Sequence, residues 1–162
     1  MKKGVCCIMK TIKVKKLTKE AFAPYGEVLT IEGREAGGNP ASHLWYPQVV
    51  VIDNPTSINL MKVIPHEFVL KDFEAHDHTT ENLLAMDGDL IVGMAPAGDL
   101  KAENVEAFYI PAGFGISLKP SVWHAVPFAV GKEVMSACIF KNNTSHDDIY
   151  FASIPEELGL TM

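Results

Sequence analysis

Two short segments of this sequence carry the residue types that chemistry at a metal ion requires. His76 and His78 stand two residues apart, and Glu81 follows three residues after His78. In a β-strand, residues two apart point to the same face of the sheet, so the two imidazoles would lie together. His124 follows Trp123 in a second segment that also has strand character. Imidazole and carboxylate groups on one face bind divalent metal ions.

We predict His76, His78, Glu81 and His124 as ligands of a divalent metal ion, provided that the two segments meet in space. Histidine and carboxylate ligands suit Zn, Mn, Fe, Ni or Co, and the ligand types do not distinguish among these metals. The alternative is a polar strand end for the first segment and a buried core histidine for the second. Glu74 shares the face of His76 in a regular strand, where it would orient an imidazole N–H or lie on the surface.

The composition is that of a soluble, single-domain protein. The 162 residues suffice for one core, 48% of them are hydrophobic and 21% are charged, and the net charge is −6. This acidic balance argues against a nucleic acid or an anionic membrane as partner, because both attract clustered lysine and arginine. No apolar run approaches the roughly 18 residues of a membrane span. We therefore expect the ligand to be a small molecule.

The cysteines and the N-terminus add expectations about location and domain boundaries. The three cysteines, Cys6, Cys7 and Cys138, make no disulfide framework, which fits a reducing compartment. The apolar run near the N-terminus is too short for a secretory signal peptide, so we expect a cytoplasmic protein. Residues 1–10 are predicted to be a disordered extension before a single domain at residues 11–162.

Short strands separated by turn residues dominate the rest of the sequence. Alternating apolar and polar residues with Gly, Pro and Asp breaks predict ten or more strands, and no amphipathic helix of normal length competes. Thr18 is predicted to cap a single helical turn, and the Asp-Gly pair at 87–88 to join strands at 83–86 and 90–95 in a hairpin. Residues from 155 onward are predicted to be a tail with one turn of helix. Many short strands of this kind form a β-sandwich or barrel.

The spacing around the histidines resembles the two sequence motifs of the cupin superfamily. The first motif is His-x-His, a short gap, Glu, six residues and Gly, which is similar to the set His76, His78, Glu81 and Gly88. The second motif ends in a proline followed a few residues later by a histidine, as residues 120–124 do here. The resemblance implies an all-β cupin double-stranded β-helix (jelly roll) with a small N-terminal α/β extension, in which the two motifs lie on neighbouring strands.

Three segments resemble the ureidoglycolate lyase family, also known as ureidoglycolate hydrolase. Residues 17–28 are similar to the opening of the family, residues 73–76 fit its Leu-Glu-Arg-His, and residues 107–124 align without a gap to its stretch from Ala-Phe to Gly-Val-Trp-His. The resemblance implies a lyase that releases urea and glyoxylate from ureidoglycolate in purine (allantoin) degradation. The chain departs from the family at residues 78–81 and 119–121, and these changes move it toward the general cupin ligand set.

The chemistry of this lyase reaction suggests a catalytic set of Glu81, Lys119 and His124. Glu81 would be a fourth metal ligand or the general base. Lys119 is the leading cation for a substrate carboxylate and Lys62 the second, although either also fits an exposed strand position. Trp123 would line the mouth of the pocket or pack in the core.

Two other functions are compatible with the same residues. One is a different metal-dependent cupin enzyme that acts on a small hydroxy acid, keto acid or sugar. The other is a non-catalytic cupin that binds a small ligand. Exposed sheet edges and the family pattern predict a homodimer in each case.

Overall fold

Two facing β-sheets make up most of the chain in a computed structural model that describes residues 9–162. The predicted all-β class is confirmed, because the described residues form fifteen strands and only two short α-helices and one 3₁₀ turn. The first half contains β1 (Lys10–Lys13), β2 (Lys15–Lys16), α1 (Lys19–Phe22), β3 (Gly26–Leu29), β4 (Gly37–Asn39), β5 (His43–Trp45), β6 (Thr56–Val63) and β7 (Val69–Ala75). The second half contains β8 (Glu81–Ala85), β9 (Leu90–Ala95), the 3₁₀ turn (Ala102–Asn104), β10 (Glu106–Ile110), β11 (Gly115–Leu118), β12 (Trp123–His124), β13 (Phe128–Ala129), β14 (Val134–Lys141), α2 (Thr144–Asp147) and β15 (Tyr150–Thr161).

The larger sheet has eight strands in the order β1-β15-β7-β12-β9-β10-β2, and β13 pairs with β9 outside this path. The two N-terminal strands join it in parallel, β1 beside β15 and β2 beside β10, whereas its inner pairs are antiparallel. Strands β7 and β12 are neighbours, and their register places His124 opposite Glu74. The two candidate segments therefore meet on adjacent strands, as the cupin resemblance implies.

The smaller sheet has five antiparallel strands in the order β3-β11-β8-β14-β6, and β4 pairs with β5 in a separate ribbon. Strands β8 and β9 follow one another in the chain but lie in different sheets, so the predicted hairpin at 87–88 is wrong. The turn crosses between the sheets instead. Asp87 holds this crossing to the smaller sheet, because its carboxylate accepts the backbone N–H of Met135 at 2.7 Å.

A hydrophobic core fills the space between the sheets and reaches α1. The hydroxyl of Thr18 accepts the N–H of Ala21 at 3.1 Å, which confirms the predicted helix cap. This short helix inserts Phe22, which is fully buried and packs edge-on against Phe108 with ring centroids 5.3 Å apart. The N-terminal α/β segment thus closes one end of the sandwich.

The C-terminal segment is a strand, so the predicted tail with a helical turn is wrong. Strand β15 pairs with β7 on one side and with β1 on the other, and both Ile154 and Leu158 are buried against the larger sheet. Pairing on two sides stabilises extended backbone that a single segment would not hold alone. The predicted extension at 1–10 lies outside the described residues except for Met9 and Lys10, and Lys10 already begins β1.

Candidate metal centre and active site

Strands from both sheets bring two carboxylates and two imidazoles together. Glu74 lies near the end of β7 and His76 follows directly after it, so both side chains point to the inner face. His124 lies on the neighbouring β12, and Glu81 is the first residue of β8 in the opposite sheet. The centre therefore depends on the packing of the two sheets against each other.

The four side chains form one compact group. The Nε2 atom of His76 lies 2.9 Å from Oε2 of Glu81, and the Nε2 atom of His124 lies 3.1 Å from the same oxygen. The Oε1 atom of Glu74 is 3.5 Å from Nε2 of His124. One potential ligand atom from each residue lies within 4.8 Å of all the others. Bonds of about 2.1 Å to a metal ion place its ligands about 3–4 Å apart, so the group suits a divalent ion.

Backbone carbonyls orient both imidazoles. The Nδ1–H of His76 donates to the carbonyl of Asp148 at 2.7 Å, and the Nδ1–H of His124 donates to the carbonyl of Val122 at 3.1 Å. A ring that donates from Nδ1 presents its Nε2 atom to the opposite side. Both Nε2 atoms therefore face the centre of the group, in the orientation that metal-binding histidines adopt.

Charges and hydrogen bonds within the group shift the pKa of His76, Glu81 and His124, each in a defined direction. Burial lowers the pKa of His124, but the charge of Glu81 and the hydrogen bonds to Glu74, Glu81 and the Val122 carbonyl together raise it by more, to about 10. Burial likewise lowers the pKa of His76, and hydrogen bonds to Glu81 and the Asp148 carbonyl raise it by more. Burial raises the pKa of Glu81, but His124 and His76 together hold it below its usual range. A metal ion that bound these side chains would therefore have to displace protons from the imidazoles.

The Nε2 atom of His124 provides a test of whether a metal fits. This atom is fully buried and has no hydrogen-bond partner, although Glu81 Oε2 lies 3.1 Å away. A buried polar atom without a partner is destabilising unless another group satisfies it. A cation at the centre of the four ligand atoms would do so. The donor set of two imidazoles and two carboxylates therefore fits a divalent metal.

The group lies at the polar end of a cavity of about 290 Å³ between the sheets. Its remaining walls are mainly apolar. They come from both sheets and from residues 144–149, which form a corner at α2 and are called the α2 corner below. Asn59 and Ser145 also line the cavity and add two neutral polar groups. Cys138 lines the same space, and burial raises the pKa of its thiol, which therefore stays protonated. The cavity can hold a small molecule with one end at the metal centre.

His78 was predicted as a metal ligand beside His76, but the structure places it outside the group of Glu74, His76, Glu81 and His124. Strand β7 ends at Ala75, and the alternation that would place both histidines on one face ends with it. The side chain of His78 is 69% exposed, and its Nδ1 atom lies 3.0 Å from Oδ1 of Asp148. His78 therefore fastens a loop at the surface.

The three predicted substrate-binding side chains also lie outside the cavity. The ammonium of Lys119 donates to the carbonyl of Ala23 at 2.7 Å, and that of Lys62 lies 3.5 Å from a carboxylate oxygen of Glu133 on the surface. Trp123 packs against a second cluster of buried apolar residues, which includes Ala95 and Phe128, and its ring N–H donates to the carbonyl of Gly98. Neither lysine lines the cavity beside the candidate metal centre, and Trp123 does not line it either.

Glu74 is the member of the group for which the sequence predicts only an orienting role or a surface position. The sequence does contain a signal for it. When Glu74 and His76 take the two histidine positions of the first cupin motif, four residues separate His76 from Glu81 and six separate Glu81 from Gly88. This register restores the longer gap that is usual in cupins, whereas the register through His78 shortens it. Glu74 thus stands where a histidine is common.

The loop before β12 is fastened to the loop after β7. The N–H of Ser121 donates to the carbonyl of His76 at 2.6 Å, and its hydroxyl donates to Asp77 at 2.6 Å. Ser121 adopts a φ of 65°, a left-handed conformation that favours glycine. Its two hydrogen bonds offset this strain and hold the segments that carry His76 and His124 together.

Comparison with known proteins agrees with this geometry. The model of the family described as ureidoglycolate lyase matches residues 9–160. The chain belongs to the ureidoglycolate lyase family. Among its relatives, the ureidoglycolate lyase of Burkholderia mallei (strain NCTC 10229) is 28% identical over 162 residues, which cover 94% of this chain and 95% of the relative. The ureidoglycolate lyase of Stutzerimonas stutzeri (strain A1501) is 25% identical over 163 residues, covering 94% and 96%.

A solved structure has the same fold as this chain. The dTDP sugar isomerase of Desulfovibrio desulfuricans G20 superimposes with a TM-score of 0.55 at 15% identity, covering 80% of this chain and 85% of that one. The predicted cupin jelly roll is thereby confirmed. Neither α-helix among residues 9–162 has the length and hydrophobicity that crossing a bilayer requires.

Proposed function

We propose that this protein is a ureidoglycolate lyase, which splits ureidoglycolate into urea and glyoxylate during the breakdown of allantoin, a purine product. The observation that carries this proposal is the family match over residues 9–160, which extends from the first described strand to the last. Relatives that bear the lyase name align with 94% of the chain. The buried group of imidazoles and carboxylates supports the proposal, because the reaction needs groups that move protons.

The reaction requires one proton to move from oxygen to nitrogen. Ureidoglycolate carries a hydroxyl and a ureido nitrogen on the same carbon. A base takes the hydroxyl proton, the oxygen electrons form the aldehyde C=O of glyoxylate, and the C–N electron pair leaves on nitrogen. That nitrogen then takes a proton and departs as urea. No oxidant or further reactant is needed.

We assign His76, Glu81 and His124 as metal ligands and Glu74 as the group that moves the proton. The first three side chains are buried, whereas Glu74 is partly exposed. Two histidines and one carboxylate form a ligand set that leaves positions open. A divalent ion held there would bind substrate oxygen atoms and lower the pKa of the hydroxyl. Glu74 would then accept the hydroxyl proton and return it to the departing nitrogen.

The proposal is tested by product analysis after metal analysis of the purified protein. We expect equal amounts of urea and glyoxylate from ureidoglycolate, and a bound metal whose identity is Zn, Mn, Fe, Ni or Co. The variants His76→Ala and His124→Ala are expected to lose both the metal and the activity. His66→Ala is the matched control, because His66 lies outside the cavity. Wild-type protein that binds metal but releases no urea would contradict the lyase assignment.

One observation favours a second candidate, a metal-dependent cupin enzyme with a different small substrate. None of the described residues that line the cavity is a lysine or an arginine. The carboxylate of ureidoglycolate would then be held by the metal centre alone, with Asn59 and Ser145 as neutral partners. A neutral sugar has no carboxylate that needs a cationic partner, and a small hydroxy acid or keto acid could be held through its carboxylate by the metal centre alone. A substrate panel run beside ureidoglycolate separates the two candidates by their kcat/KM values.

We also propose that the protein is a homodimer. Ile58 and Leu60 lie on the edge strand β6 with exposures of 71% and 67%, and they stand opposite Ile139 and Ala137 of β14. An apolar sheet face at an exposed edge is typically covered in solution, and a second copy of the chain would cover it symmetrically. Sedimentation should give a dimer that Ile58→Lys with Leu60→Lys converts to monomer. Ile31→Lys, at another exposed apolar position, should leave the dimer intact.

A cytoplasmic location is the last part of the proposal. Cys138 is a free, buried cysteine, and such thiols persist in a reducing compartment. An intermediate metabolite as substrate suits the same compartment. Fractionation of cells that express the protein, with assay of each fraction, tests this location, and activity confined to a secreted or membrane fraction would contradict it.

A further inference from the structure

We propose that Asp148 is a positioning residue, which holds the loop of residues 76–78 and thereby aims the imidazole of His76 at the metal centre. Asp148 follows α2 and precedes β15. Its role rests on the metal centre of the proposed function. The sequence offers no sign of it, because Asp148 is more than seventy positions from His76 along the chain.

Asp148 makes four polar contacts with three consecutive residues. Its Oδ1 atom accepts the backbone N–H of Asp77 at 3.0 Å and lies 3.0 Å from Nδ1 of His78. Its Oδ2 atom accepts the backbone N–H of His78 at 2.9 Å. Its carbonyl accepts the Nδ1–H of His76 at 2.7 Å. One residue therefore binds both the metal-facing ring and the loop that carries it.

The loop of residues 76–78 needs these hydrogen bonds because β7 ends before it. His76 follows the last residue of the strand, so the sheet no longer fixes the backbone of residues 76–78. Asp148 is 1% exposed, and hydrogen bonds to a buried carboxylate are stronger than those between neutral groups. Partners of this kind fix ring orientation, and their loss typically weakens metal binding about 10- to 100-fold.

The contacts of Asp148 also connect the α2 corner to the loop of residues 76–78. Ser145 and Ile149, on either side of Asp148, line the cavity. Asp148 thus fastens the wall of the cavity to the metal-binding loop. The backbone carbonyl and the carboxylate of this one residue thus position the substrate wall and the metal centre together, and His78 contributes only one of the four contacts.

Metal titration of matched variants tests this role. Protein treated with a chelator is titrated with Mn²⁺ and Zn²⁺, each alone, and the dissociation constants are compared. Asp148→Asn is expected to weaken binding about 10- to 100-fold. Asp147→Asn, at the exposed preceding position, should bind like the wild type. His78→Ala keeps the two backbone contacts and should change affinity by less than about 3-fold.

The outcomes separate a positioning role from a structural one. If Asp148→Asn unfolds at lower urea concentration but binds metal with wild-type affinity, the positioning role is overturned. If His78→Ala weakens binding as strongly as Asp148→Asn does, His78 acts on the metal and the proposal also fails.

A second measurement does not depend on metal binding. The ¹H–¹⁵N signal of the His76 Nδ1–H should be visible in the wild type and broadened by exchange with water in Asp148→Asn. If the wild type binds neither metal, the metal part of the proposed function fails, and this signal decides the role of Asp148 by itself. An unchanged signal in the variant overturns that role.

Discussion

At the scale of single residues, the two carboxylates of the centre differ in their surroundings. The side chain of Glu81 is 9% exposed and lies between two imidazoles, whereas that of Glu74 is 27% exposed. A carboxylate between two imidazole nitrogens is suited to share a metal ion with them. The more exposed carboxylate can reach substrate and exchange protons.

Glutamine substitutions at Glu74 and Glu81 should therefore have different effects. Glu74→Gln removes the proposed proton acceptor and is expected to lower kcat about 10²- to 10⁴-fold with metal content retained. Glu81→Gln removes the proposed carboxylate ligand and should lose the metal together with the activity. Metal analysis and steady-state kinetics on both variants check this difference. Loss of metal in Glu74→Gln with full metal in Glu81→Gln would reverse the two assignments.

At the scale of elements, the centre depends on strands that approach each other very closely. Strand β3 pairs with β11, which in turn pairs with β8, the strand that begins with Glu81. A Cβ atom added at Gly26 of β3 would lie 1.7 Å from the carbonyl oxygen of Ser117 in β11. Only glycine permits this approach, since the obstructing atom is backbone and cannot rotate away.

The variant Gly26→Ala should consequently destabilise the protein by about 3 kcal/mol, because β3 must move away from β11. Gly88→Ala is the matched comparison, since a Cβ there would meet a methyl group of Val134 at 2.7 Å, and a side chain can adjust. We expect a smaller loss of stability for this second variant. Urea unfolding of both proteins measures the difference, and equal stabilities would contradict the argument from backbone obstruction.

At the scale of the whole molecule, the connections between sheets contain charged groups that make stability depend on pH. Asp89 lies where the chain enters β9, and its carboxylate accepts the hydroxyl of Tyr109 and, at 2.8 Å, the N–H of Ala112. These two hydrogen bonds, the one from Tyr109 first, hold the pKa of Asp89 below its usual range. A depressed pKa means that the folded state favours the charged carboxylate.

The contribution of Asp89 to stability should be complete above about pH 4 and lost as pH falls through its folded pKa. Asp89→Asn has no such charge, so it is expected to be less stable than the wild type by about 1 kcal/mol at pH 7. The difference should shrink as the pH falls below about 4. Urea unfolding at a series of pH values checks this. A difference that stays constant with pH would show that charge is not involved.

Part of this picture follows from the sequence alone. The alternation of apolar and polar residues, interrupted by turn residues, predicts an all-β fold, because strand periodicity is a local property of the chain. The histidines at 76 and 124 and the glutamate at 81 were predicted as ligands, and the structure brings these three side chains together. Thr18 was correctly predicted as a helix cap, since capping involves only neighbouring residues.

The tertiary structure decided the rest, because each strand ends where its pairing partners end. Alternation predicted both Glu74 and His78 on the face of His76, but β7 stops at Ala75, so only Glu74 joins the group. The turn at 87–88 has hairpin chemistry, yet its strands pair in different sheets. The role proposed for Asp148 likewise depends on a contact across the fold, between residues far apart in the chain. Residue types determined what chemistry this protein could support, and long-range packing determined which of those residues share one site.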